Sequence, residues 1–386
     1  MDQIPESPAF LRAFLQRRYG DRYGRRYGHT DNQAMTPQAR VEMALDHRQP
    51  DRVPFDFWGV PEVCDALRFH LGVETHEDVL RLLGVDCRLV APDYMGPAPR
   101  VQPDGTYYDA WGTHRRSISN EFSTYDEYAG HPLAAAQSVS DVETWDGWAR
   151  PEHWDLSTLQ GKIRDLQRET EYHIRYEVGG IFEWSWALRG MERFLLDLLE
   201  QPEIPCAIMD CFTDIYIANV TGVLEAADGL VDMVYTYDDI GTQRGLMISQ
   251  RMWRQYILPQ HQRLNRAIRR FPVRIMYHSC GAVYPLIAAF ADDMGIDVLN
   301  PLQPRAAGMD LASIKREYGR QLSFHGAVDI QHTLPYGTPE EVQTEARHLC
   351  RLLGKGGGYI CAPAHHIQAD TPIQNIIALY TAEREL

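Results

Sequence analysis

Eight short apolar stretches, separated by helical patterns, constrain the fold of this chain more than any other feature. They are Val53 to Phe57, Cys87 to Ala91, His173 to Val178, Met233 to Tyr237, Val273 to Tyr277, Asp297 to Asn300, Leu322 to His325 and Tyr359 to Ala362. Each is rich in β-branched or aromatic residues and too short for a buried helix, so each reads as a strand covered on both faces. Helical patterns fall at Gln38 to His47, Pro61 to Leu71, Met191 to Leu199, Pro202 to Ala227, Ser249 to Phe271, Tyr284 to Met294, Leu311 to Tyr318 and Thr338 to Leu353. Strands alternating with helices predict a parallel sheet, because neighbouring parallel strands need a long crossover. Eight such units predict a closed (β/α)8 barrel rather than an open sheet.

The chain has 386 residues, 44% of them hydrophobic, which suits a barrel with an insertion. The rhythm breaks from about residue 97 to 160, a region rich in Gly, Pro, Trp and Tyr with a hairpin signal at Pro103-Asp104-Gly105-Thr106. This stretch reads as an inserted lid over one end of the barrel. Residues 1 to 35 read as an N-terminal arm, marked by RRYG-DRYG-RRYG at 17 to 28 and suited to packing on a second copy in a homodimer. The barrel then runs from 36 to 386, opened by Thr36 as an N-cap and Pro37 at the first helical position.

A formal net charge of -15 argues against nucleic-acid or anionic-membrane partners for the body of the protein. No apolar run approaches the roughly 18 residues of a membrane span, and no apolar signal-peptide core stands at the N-terminus. Seven scattered cysteines lack the density of a disulfide scaffold, which points to a reducing, cytoplasmic setting.

In (β/α)8 barrels the reactive groups sit at the C-terminal ends of the strands. Polar residues gather there on every unit: Asp56, Asp93, Glu177 with Glu183, Asp238-Asp239, His278 with Cys280, Asn300, His325, and His365-His366. Any single one fits a strand end satisfied by a loop backbone; the recurrence on all eight points to one functional rim. Within it, His278 and Cys280 stand two residues apart after an apolar run. In extended chain alternate side chains share a face, so an imidazole and a thiol at this spacing suit one soft metal ion, with zinc the natural candidate. A buried core His and Cys fit the pair alone equally well.

Several motifs together resemble the uroporphyrinogen decarboxylase superfamily. They are Thr36-Pro37-Gln38-Ala39-Arg40, Asp51-Arg52-Val53-Pro54, Asp238-Asp239-Ile240-Gly241, the HSCG run at 278 to 281, and GGGYICAPAHHIQADTPIQNI at 356 to 376. The resemblance is nearest to the cobalamin-dependent methyltransferase branch, of the methylcobalamin:coenzyme M type, with its O-demethylase relatives. It implies a zinc-bearing barrel in which His278 and Cys280 are ligands and a third ligand follows the Ala-Pro segment. The related methyltransferases place a Cys three residues after that Ala; the matching position here, counted from Ala362-Pro363, is His365, with Cys361 the alternative. It also implies a corrinoid (methylcobalamin) carried on a separate corrinoid-binding protein, since the chain has no Asp-X-His-X-X-Gly cobalamin motif. The expected reaction is methyl transfer between that corrinoid and a small thiol, folate or methyl ether.

In this reading Asp239, Glu177 and His325 are the catalytic candidates. Asp56, Trp58, Asp93, Asn300 and His366 are the substrate-binding ones. The alternative is a decarboxylase or other lyase acting on a non-porphyrin carboxylated substrate. Uroporphyrinogen decarboxylases resemble one another in an Arg-rich first strand segment, whereas here Val53 to Val60 carries no Arg. A substrate with many carboxylates would meet an already anionic protein.

Overall fold

The computed structural model describes residues 35–382, so the expected arm, its repeats and the homodimer inferred from them lie outside the described residues. The expected parallel α/β barrel architecture is present. Seven strands make one sheet: β1 (Cys87–Val90), β8 (His173–Gly180), β9 (Met233–Tyr237), β10 (Arg274–His278), β11 (Val298–Leu302), β12 (Ser323–Val328) and β13 (Tyr359–Pro363). The eighth stretch, Val53 to Phe57, is extended but is a single bridge, Phe55 to Cys361, rather than a strand. Pro54 has no N–H to donate, and Asp56 turns its carboxylate back on the backbone N–H of Phe57, so the ladder stops. The segment still fills its place: Asp56 N donates to Cys361 O and Asp86 N donates to Phe55 O.

The chain divides into two compact units. Of the described residues, the first takes those up to Arg88, Gln167–His173 and those from Val298 on, with β11, β12 and β13 in parallel register. Its base is a buried ion network built from the motif residues at 36–40 and 51–54. Asp86, wholly buried, accepts Arg40 Nη1, both Arg52 terminal nitrogens and the Phe55 N–H, all at 2.8 Å. Burial alone would raise the Asp86 pKa, but Arg52 and Arg40 outweigh it and hold the carboxyl below its usual range. The cation that the sequence places before the first strand is therefore spent on structure. The helix Pro37–Leu45 is N-capped by Thr36 as expected, its hydroxyl accepting from Ala39 N at 3.2 Å.

The second unit takes Leu89–Leu166 and Ile174–Asp297. Here β9 lies between β8 and β10 in parallel register, with Gly180, Tyr237 and His278 level at the C-terminal ends. The register slips between Glu177 and Gly179, a bulge made possible by Gly179 at φ 138°. The insertion holds a four-stranded antiparallel sheet, β3 (Arg100–Val101), β4 (Tyr107–Tyr108), β5 (His114–Ser119) and β6 (Thr124–Gly130), with the expected hairpin between β3 and β4. Arg189, fully buried, ties it to the helix Ile181–Arg189 by donating to the carbonyls of Leu133, Ala134 and Ala136. That helix starts directly after β8 and was not read from the sequence, because its pattern is apolar nearly all round.

One sequence expectation is corrected. Among the described residues the helix Glu203–Ala227 is long and apolar enough to cross a membrane, by length and composition. Half of its most apolar window is buried inside the protein, with Phe212, Tyr216, Val220 and Val223 turned inward. Acidic residues break the stretch into shorter runs, which is why a search for an uninterrupted one passes over it.

Candidate functional site

In the second unit the strand ends bring His278, Cys280 and Asp239 together. Cys280 Sγ lies 3.4 Å from His278 Nε2, and Asp239 Oδ1 is 3.4 Å from the same nitrogen. Asp239 also accepts the Cys280 N–H at 2.7 Å, so the carboxylate sets the turn that carries the thiol. Gly281 makes that turn possible: its φ is 87°, and a Cβ there would stand 2.6 Å from the Thr242 carbonyl oxygen. Ser279 faces away and accepts the Ile240 N–H at 3.0 Å, locking the 238–241 turn against the 278–281 turn.

Behind this pair stands a chain of carboxylates. Glu183 Oε1 accepts the Asp239 N–H at 2.8 Å, and Asp238 Oδ1 accepts the Glu183 N–H at 2.9 Å. Asp238 Oδ2 meets His261 Nε2 at 2.6 Å, both side chains being fully buried. Burial and the nearby Asp239 and Asp238 push Glu183 up to about 8. Glu177 is also raised, chiefly by burial, with Arg175 and His278 opposing, and part of the residue is open to solvent. Glu183 and Asp238 were read from the sequence as strand-end residues without an assigned role, and His261 was not read at all. Asp238-Asp239 gave a signal for one member, but nothing in the helix around His261 marks it.

The donor set fits a soft divalent cation. Burial disfavours a charged His278, yet the Cys280 thiolate and the Asp239 carboxylate hold its imidazolium well above its ordinary pKa. Burial pushes the Cys280 thiol up, and His278 pulls against that. The Cys280 thiolate and the Asp239 carboxylate thus lean on a positive charge beside them, a role a metal fills better than one shared proton.

In the first unit a second group forms around Asp56. Its carboxylate accepts Trp58 Nε1 at 2.8 Å and meets His325 Nε2 at 3.0 Å, and His325 Nδ1 meets Asn300 Nδ2 at 2.6 Å. Asp56, Asn300 and His325 are buried and turned on one another. The Trp58 ring packs on His325 at 5.2 Å and on His366 at 5.3 Å, and His365 packs on His366 at 5.3 Å. Cys361 is fully buried within β13, whereas His365 lies past the strand end and is partly exposed. Asp93 is not brought into either group: it is exposed in the two-stranded ribbon of β2 (Asp93–Tyr94) and β7 (Trp154–Asp155), paired with Lys162 at 2.7 Å and Thr158 at 3.0 Å.

These strand-end turns and this parallel fold define a family. The uroporphyrinogen decarboxylase (URO-D) model matches residues 128–386, and the chain belongs to that family. Among its relatives is a methylated-thiol–coenzyme M methyltransferase of Methanosarcina mazei, 27% identical over 201 residues, covering 51% of this chain and 49% of that protein. Uroporphyrinogen decarboxylase of Coxiella burnetii is 23% identical over 192 residues, covering 48% of each. The chain thus matches about half the length of these curated relatives. A solved methyltransferase from Methanosarcina mazei shares the fold at a TM-score of 0.63 and 18% identity, over 90% of this chain and 98% of that one.

Proposed function

We propose that the chain is a zinc-dependent methyltransferase, moving a methyl group between a small thiol, folate or methyl ether and a corrinoid carried on a partner protein. The observation that carries this reading is the His278–Cys280 pair, with donor atoms 3.4 Å apart at the end of a parallel strand. His365 is the proposed third ligand, at the position after the Ala-Pro segment that the family resemblance implies. Zinc bound there would supply Lewis acidity, keeping a substrate thiol deprotonated near neutral pH or favouring departure of an alkoxide.

The protein's own groups have separate tasks. Asp239 holds the Cys280 turn and stands beside His278, so it orients whatever approaches the pair. Glu177, solvent-reachable and with its pKa raised chiefly by burial, is placed to take or give a proton. His325 acts from its buried bond to Asp56. The likeness to a methyltransferase favours this chemistry over porphyrinogen decarboxylation, and so does the engagement of Arg52 by Asp86, which leaves the first segment without a free cation. The seven cysteines, none of them in a disulfide among the described residues, suit a cytoplasmic setting.

The raised carboxyls of Glu177 and Glu183 favour a second reading, a lyase acting on a small carboxylated substrate. Carbon dioxide release from such an acid, without methyl transfer, separates the two. The direct test is metal analysis and methyl transfer from methylcobalamin to thiols. Wild type should hold one zinc per chain, and His278→Ala, Cys280→Ala and His365→Ala should each lose it. Undiminished zinc in the first two variants would sink the reading; loss in Cys361→Ala rather than His365→Ala would move the third ligand.

A further inference from the structure

We propose that Trp58 is a positioning residue that presents His365 to the metal, an inference that rests on the ligand assignment above. The indole has no freedom of its own. Its N–H is committed to Asp56 Oδ2 at 2.8 Å, and that oxygen is fixed in turn by His325 at 3.0 Å, which Asn300 holds at 2.6 Å. All four side chains are buried, at 5% exposure or less. A buried, hydrogen-bonded chain of this kind holds one rotamer, because any other leaves a polar group unsatisfied.

The outer face of the indole meets the loop that carries the ligand. His366 packs on it at 5.3 Å, and His365 packs on His366 at the same distance. The two backbones are joined as well: Ile367 N donates to Trp58 O at 2.9 Å, and Val60 N donates to Ile367 O at 3.1 Å. Trp58 and Val60, on either side of Gly59, thus clamp the chain just past His365, and the indole ring sets the side-chain stack. A His ligand on a loop needs such support, since groups that orient a metal-bound imidazole typically carry about 10- to 100-fold in affinity. This assigns a purpose to Trp58, His366 and the Asp56–His325–Asn300 chain that direct substrate contact would not give them.

The test is zinc affinity of the full-length protein, measured by competition with a chromophoric chelator, together with the visible spectrum of the cobalt-substituted protein. Trp58→Phe keeps a ring but loses the N–H to Asp56; His366→Ala removes the stacked ring at an exposed position and should fold. Both are expected to weaken zinc binding about tenfold and to alter the cobalt band. Tyr380→Phe is the structural control, because its hydroxyl donates to the Asp56 carbonyl at 2.9 Å and not to the carboxylate. It should lower thermal stability and leave zinc affinity within about twofold of wild type. Zinc affinity within about twofold of wild type in Trp58→Phe and His366→Ala, beside a large loss in His365→Ala, would overturn the proposal. An equal loss in Tyr380→Phe would overturn it too, as general loosening. Unchanged affinity in His365→Ala removes the ligand assignment itself, and the proposal with it.

Discussion

Replacing Asp86 with Asn tests how the base of the first unit holds its strand-end residues. The carboxylate has no solvent exposure and accepts four hydrogen bonds at 2.8 Å, three from Arg40 and Arg52 and one from Phe55 N. The two arginines would not suffer equally. Arg40 keeps Asp51 at 2.6 and 2.8 Å and the Met35 carbonyl at 2.8 Å, whereas Arg52, with its side chain 14% exposed, keeps only the Val53 carbonyl at 3.1 Å and its water-facing edge. Removing one partner of a buried ion pair costs about 3–5 kcal/mol, and the residual pairing of Arg40 puts this case near 3 kcal/mol. In a chain this long that is a fall in Tm of about 4 °C, measured by urea and thermal unfolding of the metal-free protein.

The pH dependence has a definite sign. The folded-state pKa of Asp86 is depressed, so its stabilisation is complete above the ordinary carboxylate range and fades as pH falls through the lower folded value. The gap between wild type and Asp86→Asn should be constant from about pH 5 to 8 and close only in acid. Adding Arg52→Met to Asp86→Asn should recover part of the loss, since the stranded charge is then gone. A cost under about 1 kcal/mol, or no recovery in the double variant, would refute the view that Asp86 is held as the buried counter-ion of Arg52.

Three further outcomes are expected. Asp239→Asn should cut methyl-transfer turnover by about 10²-fold while zinc content is retained, as misplacement of a bound substrate does; zinc loss would make Asp239 a ligand instead. Glu183 titrates at about 8 when folded and near 4.5 when unfolded, so the folded state binds the extra proton and metal-free wild type should lose stability as pH rises between those values. Glu183→Gln keeps an acceptor for Asp239 N and should flatten that slope in urea titrations at pH 6 and 8. Gly281→Ala puts a Cβ 2.6 Å from the backbone of Gly241 and Thr242 at a φ of 87°, so zinc content should drop along with stability, by roughly 1–3 kcal/mol for the backbone strain alone.

What the chain determined by itself is its rhythm and its candidate ligands. Strand and helix periodicity depend on neighbours in sequence, so all eight extended segments and the helices Pro61–Leu71 and Leu311–Tyr318 were legible, as was the capping of Pro37–Leu45 by Thr36. The His278–Cys280 spacing was legible for the same reason. Tertiary structure decided which charges are free and which are spent. Arg52 and Asp86 lie 34 positions apart, Asp238 and His261 lie 23 apart, and Asp56 and His325 lie 269 apart. No local pattern marks such partners, because only folding sets their distance and removes the water that would otherwise satisfy each alone. The same physics moved Asp93 to a surface ion pair, brought Glu183 behind Asp239, and packed the Trp58 ring on His366.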